Sequence, residues 1–403
     1  MRIGTDVRAR RTVAATAVAA AAAAAVGLTV PAMAASAAPL SRTGSAGQAG
    51  TASAVLWGRV GPGWALAMYS ASQAGEGVKP KAGPSTLYLV DPQGGRYRLF
   101  TWPARSPRAN WDLLAWSGDA KRALFTTGYA GSTVREHIYQ LQLRTGQVTS
   151  FTLPADVGAV GYTRPDGLNI LAEKGADISN NVTLQRYSLS GKLQKNLATV
   201  KGLSPFVTGS GVAYNSSGTE IAAGTVNGLE LISNAGGVIK KVPVRGAKGG
   251  CGVIRWWSRG TILASCMVSN EPGPQLWAIP ASGARPTALT PVRTSGFDLG
   301  DFNAWQLSSG LYVDGFGACG SLVIGRQPAH GKEQQVKVPG ADSTLVVNAT
   351  RSKLMVERIN ACSPGVSLVW FNPATRAMKV AIGVGRHQVG VRQVVPYFIA
   401  GKF

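Results

Sequence analysis

The chain has 403 residues, a formal charge of +22 and 45 % hydrophobic residues, with 51 glycines and 22 prolines. That apolar fraction excludes an intrinsically disordered chain, and glycine and proline without a three-residue period exclude a collagen-like one. The length admits one large β domain or two or three ordinary ones.

Arg2, Arg8, Arg10 and Arg11 form a basic head, and Thr12 to Val30 is an uncharged run rich in alanine and valine. Ala32-Met33-Ala34 and Ala35-Ser36-Ala37 then put small residues where a signal peptidase reads them. Residues 1–34 are therefore expected to be a signal peptide, cut after Ala34 or Ala37. The rival reading is an uncleaved anchor, because the run approaches the ~20 residues that cross a bilayer. Against it stand the weak transfer energy of alanine and the cleavage motifs that follow at once. Arg10-Arg11 is loosely similar to a twin-arginine export signal, and the export route stays open. Cleavage removes four arginines and Asp6, taking the charge from +22 to +19. The mature chain is expected to be secreted, extracellular or cell-wall associated, with no transmembrane segment. Residues 35–53 have the composition of a flexible linker.

From residue 54 to 399, short runs rich in Val, Ile, Leu, Tyr and Trp alternate with turn clusters, and no stretch keeps a 3.6-residue period. This is an all-β pattern. Two turn series interleave. The first comprises Gly61-Pro62-Gly63, Ser117-Gly118-Asp119, Arg164-Pro165-Asp166-Gly167, Ser216-Ser217-Gly218, Ser258-Arg259-Gly260, Ser308-Ser309-Gly310 and Thr350-Arg351-Ser352. An apolar strand follows each. The second series carries glycines at 94, 146, 191, 236, 283 and 331, spaced by 52, 45, 45, 47 and 48 residues, and ends at Asn372-Pro373-Ala374-Thr375. Glycine belongs in such hairpin turns because they demand positive φ. Seven turns of each kind, at a period in the forties with four strands per unit, spell a seven-bladed β-propeller with four-stranded antiparallel blades. The blades are expected at 54–103, 111–154, 159–200, 205–246, 251–291, 298–340 and 343–386. Val391–Ile399 reads as one more strand, which closes the ring by pairing beside the first blade or by replacing the strand at 54–60.

The runs Leu368-Val369-Trp370-Phe371-Asn372-Pro373-Ala374-Thr375 and Phe316-Gly317-Ala318-Cys319-Gly320 resemble TolB-like and WD-repeat-like propellers, closest to secreted ones of high-GC Gram-positive bacteria. The resemblance implies the fold and little about activity, since this architecture hosts many functions.

Export permits disulfides, and four cysteines allow three pairings. Cys251 opens the fifth blade and Cys266 ends its second strand, so their hairpin opposes them. Cys319 and Cys362 occupy matching places in adjacent blades. The expected pairs are Cys251–Cys266 and Cys319–Cys362, on one face of the ring, worth ~3 and ~4 kcal/mol in the chain-entropy model. No Cys-x-x-Cys pair points to a metal site.

Chemistry-bearing motifs are scarce. His137, His330 and His387 show no metal-ligand spacing, and no nucleophile elbow, zinc helix or phosphate loop occurs. Glu136-His137 at a strand start reads as a solvated pair. Asp298, Asp301 and Asp314 could form a carboxylate cluster, but aspartates beside propeller turns more commonly bond their own backbone. Asp177-Ile178-Ser179-Asn180-Asn181 is a polar loop without the alternating acids of a calcium site. Trp57, Trp116, Trp256, Trp257 and Trp305 fall on or beside inner strands, where large aromatics pack blade on blade. In Arg255-Trp256-Trp257 adjacent side chains point to opposite sides, so one of the tryptophans can approach the central channel or the disulfide-bearing face. The candidate ligand-binding residues are thus Arg255, Trp256, Trp257, Trp305, Asp298 and Asp301, with no cofactor and no metal. The basic charge is scattered and attracts anionic surfaces.

Two functions follow. The first is a secreted, non-enzymatic, monomeric propeller that binds an extracellular protein or an anionic envelope polymer, and no specific nucleic acid, through its disulfide-braced face. The second is an extracellular lyase or hydrolase acting on an acidic polysaccharide, with Asp298 or Asp301 and a channel-facing Arg255 at the site.

Overall fold

The computed structural model describes residues 49–397, apart from 76–77, 128–134, 176–180, 203–210, 248, 269–272, 293–299, 318–320, 330–331, 360–364 and 385–389. Seven blade sheets follow one another round a ring, six of four antiparallel strands and one of five, whose outermost strand is parallel to its neighbour. Blade 2 is typical, running Asp112–Trp116, Arg122–Thr127, Arg135–Gln142 and Val148–Ala155 from the channel outward. The only helical turns among the described residues are three short 3₁₀ segments, Ala52–Ala54, Trp57–Arg59 and Pro107–Asn110. No described helix is long and apolar enough to cross a membrane. The turn glycines behave as their punctuation requires: Gly94, Gly146, Gly191, Gly236 and Gly283 hold φ between 75° and 97°, which an L side chain adopts only under strain.

The ring closes through its C-terminal strand. Gly390–Pro396 pairs antiparallel with Ala65–Ser70 and becomes the innermost strand of blade 1. Of the two closures the sequence allowed, the tail replaces the strand at 54–60, where the chain instead makes the 3₁₀ turn Trp57–Arg59. At the rim of the same blade, Ala49–Thr51 runs parallel to Arg96–Arg98, although its composition is that of a linker. A small hairpin, Gln73–Gly75 with Val78–Lys81, rises from this blade with no counterpart in the turn pattern.

Strand alternation gives each sheet two apolar faces, and the core is a series of blade-to-blade layers. Between blades 1 and 2, Trp102, Trp111 and Phe125 pack with ring centroids 5.5–6.1 Å apart. Between blades 6 and 7, Trp305, Tyr312, Val346, Val356 and Phe371 form another layer.

A polar belt runs through these layers. Several inner strands carry a β-bulge, including those after Leu113, Ala159 and Val346, and a bulge takes a backbone amide out of the ladder. In each of these three blades the preceding blade supplies the missing acceptor. Leu113 N donates to Gln393 Oε1 at 2.6 Å, Ala159 N to Glu136 Oε2 at 2.7 Å and Val346 N to Asp314 Oδ1 at 3.1 Å. This corrects two readings made from sequence. Glu136 is not half of a solvated pair: it is buried and also accepts from the Thr126 hydroxyl, while His137, on the opposite face of the strand, is exposed. Asp314 lies inside a strand rather than beside a turn, fully buried, because a bulge one blade away needs an acceptor at that depth.

Glu357 sits at the matching place in the second strand of blade 7, also buried, on the face it shares with Met355 toward blade 1. Burial pushes its carboxyl from the ordinary 4.5 up to about 7. Between those values the folded protein holds a proton that the unfolded chain has released, so stability falls as pH rises from about 4 to about 7 and is flat above. Replacing Glu357 with Gln is expected to remove that loss, raising stability at pH 8 by roughly 3 kcal/mol and leaving it unchanged at pH 4. Urea unfolding of both proteins at the two pH values checks it.

Candidate functional site

Every turn between the first and second strands of a blade emerges at one end of the channel, and two adjoining cavities open there. The first, of about 360 Å³, runs from the middle of the inner strands to this end and is lined by blades 1 to 5. Its walls are mostly apolar or aromatic, with Leu114, Trp116, Val160, Tyr162, Tyr214, Ile254 and Trp256 among them. The closing strand contributes Val395 and Pro396. The second, of about 600 Å³, is an open cleft between blades 3 and 4 lined by Arg164, Asp166, Arg186, Lys195, Ser217, Thr219 and Asn234. Arg164 and Pro165 line both.

The turns at this mouth interlock. A side chain at Gly118 would collide with the Pro165 carbonyl, and one at Gly218 with the Arg164 carbonyl, so only glycine lets the turns of blades 2, 3 and 4 approach this closely. The Tyr397 hydroxyl donates to the Gly118 carbonyl, and its ring lies edge-on to Trp116 at 4.9 Å. Arg164 is held in this nest partly buried, and among the described residues its guanidinium has no hydrogen bond and no ion pair. Burial lowers its pKa from the ordinary value, opposed by Tyr397, and an arginine keeps its charge nonetheless. Tyr162 is buried with its hydroxyl unpaired, and desolvation pushes that hydroxyl far above the ordinary tyrosine range. The Trp116 indole N–H is likewise buried and unpaired. Tyr214, also raised by burial, donates from its hydroxyl to Asn234 Oδ1 at 3.3 Å.

In the cleft, Arg186 donates to the Asn234 carbonyl at 3.0 Å, and Lys195 lines the wall with no ion pair among the described residues. Asp166 is the single carboxylate among the lining residues, and its Oδ1 accepts from Leu168 N. The arrangement is a cationic concavity with spare donors, suited to anions and without a paired acid and base.

The residues singled out from sequence are distributed differently. Arg255 lines the channel cavity, but its guanidinium is spent on blade 6. It donates to Asn303 Oδ1 at 2.6 Å and to the Ala304 carbonyl, and lies 4.2 Å from the Trp305 ring centre and 5.3 Å from that of Trp257. Burial pulls it down to about 9, with Asp314 opposing. Trp256 lines the cavity and bonds the Ala213 carbonyl at 3.0 Å. Trp257 is half-buried toward blade 6. Trp305 is buried between blades 6 and 7, its indole N–H on Asp314 Oδ2 at 2.9 Å. Asp301 is buried at the start of the inner strand of blade 6 and lines neither cavity. Asp298 lies outside the described residues, as do His330, His387 and residues 177–180 of the polar loop. Among the described residues no group of three His, Cys, Asp or Glu could hold a metal ion.

Cys251 and Cys266 are bonded, directly opposite each other in the ladder of blade 5, at the channel end away from both cavities. Cys319 and Cys362, the other expected pair, lie outside the described residues. Sequence reasoning missed Arg164, Tyr162, Tyr214, Arg186 and Lys195. The available signal was Arg164-Pro165 itself, the one turn of the first series that opens on a cation.

No protein-family model matches the chain, and no curated protein matches it. Its likeness is to solved structures. The β-propeller domain of the Trilobed protease from Pyrococcus furiosus, which has an open velcro topology, aligns with TM-score 0.50 and 11 % identity over 79 % of this chain and 94 % of that one. A prolyl endopeptidase aligns with TM-score 0.51 and 12 % identity over 78 % of this chain and 49 % of that one. Apo prolyl oligopeptidase B from Galerina marginata aligns with TM-score 0.51 and 10 % identity over 79 % and 51 %. The chain thus spans about half the length of the two peptidases. At such identities the likeness concerns the propeller fold alone. In contrast to that open velcro topology, this ring is closed by its C-terminal strand.

Proposed function

We propose that the chain is exported by its first 34 residues and acts outside the cell as a non-catalytic propeller, of the TolB-like or WD-repeat-like kind, that binds an anionic envelope polymer. One observation carries this reading: Arg164, Arg186 and Lys195 surround an open cleft whose only lining carboxylate is engaged with its own turn. A strand of repeating negative charge laid across blades 3 and 4 would displace its counterions onto these cations, and the +19 charge of the mature chain would draw it there. The polysaccharide lyase or hydrolase reading finds less support. Asp301 is buried away from both cavities, and Arg255 is committed to blade 6.

The test is a titration of the chain from residue 35 onward with soluble poly(glycerol phosphate) at low and moderate salt. Affinity is expected to fall steeply with salt, and Lys195→Glu to weaken binding about tenfold at fixed ionic strength. Equal weakening by a charge reversal on a distant blade would show that the charge acts only in bulk, and would defeat the assignment to this cleft.

A further inference from the structure

The channel cavity asks for a different ligand from the cleft beside it. Its described lining contains no Asp or Glu, its walls are mostly apolar or aromatic, and at its mouth stands Arg164, whose guanidinium donors have no partner among the described residues. Two further donors in the wall, the Trp116 N–H and the Tyr162 hydroxyl, are buried and unpaired. An unpaired donor in such a place costs free energy that a bound acceptor returns, and a cation without a counter-charge is a vacancy for an anion. A volume of about 360 Å³ lies in the range of small-molecule pockets and holds roughly a dozen water-sized groups. It has room for a bicyclic body and not for a two-chain lipid.

We propose that the channel binds one small organic anion with an apolar, ring-containing body, the body between Trp116, Tyr162, Tyr214 and Trp256 and the charged group on Arg164. Flat rings offer the walls faces and edges to stack on, and a carboxylate, sulfonate or phosphate accepts from the guanidinium in a forked geometry. The proposal is independent of the polymer reading, because its occupant is a single molecule inside the ring rather than a chain across two blades.

A matched pair of probes tests it: 1-anilinonaphthalene-8-sulfonate and N-phenyl-1-naphthylamine, which share one ring system and differ in the sulfonate. The chain from residue 35 onward is titrated with each, following probe and tryptophan fluorescence. The anionic probe is expected to bind saturably at one per chain and to quench tryptophan emission. Arg164→Gln is expected to weaken it about tenfold while changing the neutral probe by no more than about twofold. Arg164→Lys, which keeps the charge but not the fork, should restore only part of the affinity lost in Arg164→Gln, and Ala213→Phe, which fills the channel, should abolish binding of both probes. A thermal melt of each variant verifies its fold. Lys195→Glu should leave the anionic probe unaffected, so failure of the polymer reading and failure of this one are told apart. Non-saturable binding, or equal losses of both probes on Arg164→Gln, would overturn the proposal.

Discussion

A chain ending at residue 389 is expected to lose its single cooperative melt or to unfold at least ~10 °C lower. The deletion removes the innermost strand of blade 1 and with it the whole ladder to Ala65–Ser70. It also strips contacts to both neighbouring elements. Tyr397 N donates to the Trp64 carbonyl at 2.8 Å, the Tyr397 ring covers Trp116, and Gln393 serves both Leu113 N and Asp112. What remains is a ring with an unpaired strand edge and an exposed apolar face, two liabilities that closure removes. The measurement is a circular-dichroism melt alongside limited proteolysis. A synthetic peptide of residues 390–403 should restore part of the lost stability by adding itself as a strand. An unchanged melt of the truncated chain would mean that the closing strand contributes little.

Replacing Asp314 with Ala is expected to cost about 3–5 kcal/mol at pH 8, the range for breaking a buried charged network by removing one partner. The carboxylate accepts from Trp305 Nε1 and Val346 N, and its charge faces the buried Arg255. Its removal leaves two donors unanswered and the guanidinium less compensated. Burial nevertheless pushes Asp314 up to about 7, so pH 8 is where the ionised form is tested. Arg255→Ala should also destabilise, and the double variant should cost less than the two single losses together, because each single change strands the other charge. Chemical unfolding of the four proteins reads this cycle directly; strict additivity would show that the two groups act separately.

The fold was legible because turns are local. Gly94, Gly146, Gly191, Gly236 and Gly283 announce hairpins through a backbone requirement that no distant contact can change, and their spacing counts the blades. The Cys251–Cys266 bond was legible for the same reason, since a hairpin fixes which residues face each other. The candidate site was far less so. Arg164 looks like an ordinary turn residue until the turns of blades 2 and 4 are packed against it. Arg255 looks free to face the channel until Asn303 and Ala304, 48 and 49 residues away, take up its donors. Glu136 looks like a solvated acid and Asp314 like a cluster or turn acid, because nothing nearby in the chain reports that a bulge in the next blade lacks an acceptor. These are contacts between blades, and a pattern that repeats every forty-odd residues says where blades are without saying what each offers its neighbour.

Blade 1 is stitched from both ends of the described chain, and the two ends leave it in opposite places. Ala49–Thr51 lies on the outer perimeter, whereas Pro396 lines the channel. An affinity handle or fluorescent fusion attached ahead of residue 49 therefore trails from the circumference and leaves the pore accessible. The same appendage after Tyr397 departs beside the opening and would compete with anything seeking to enter it.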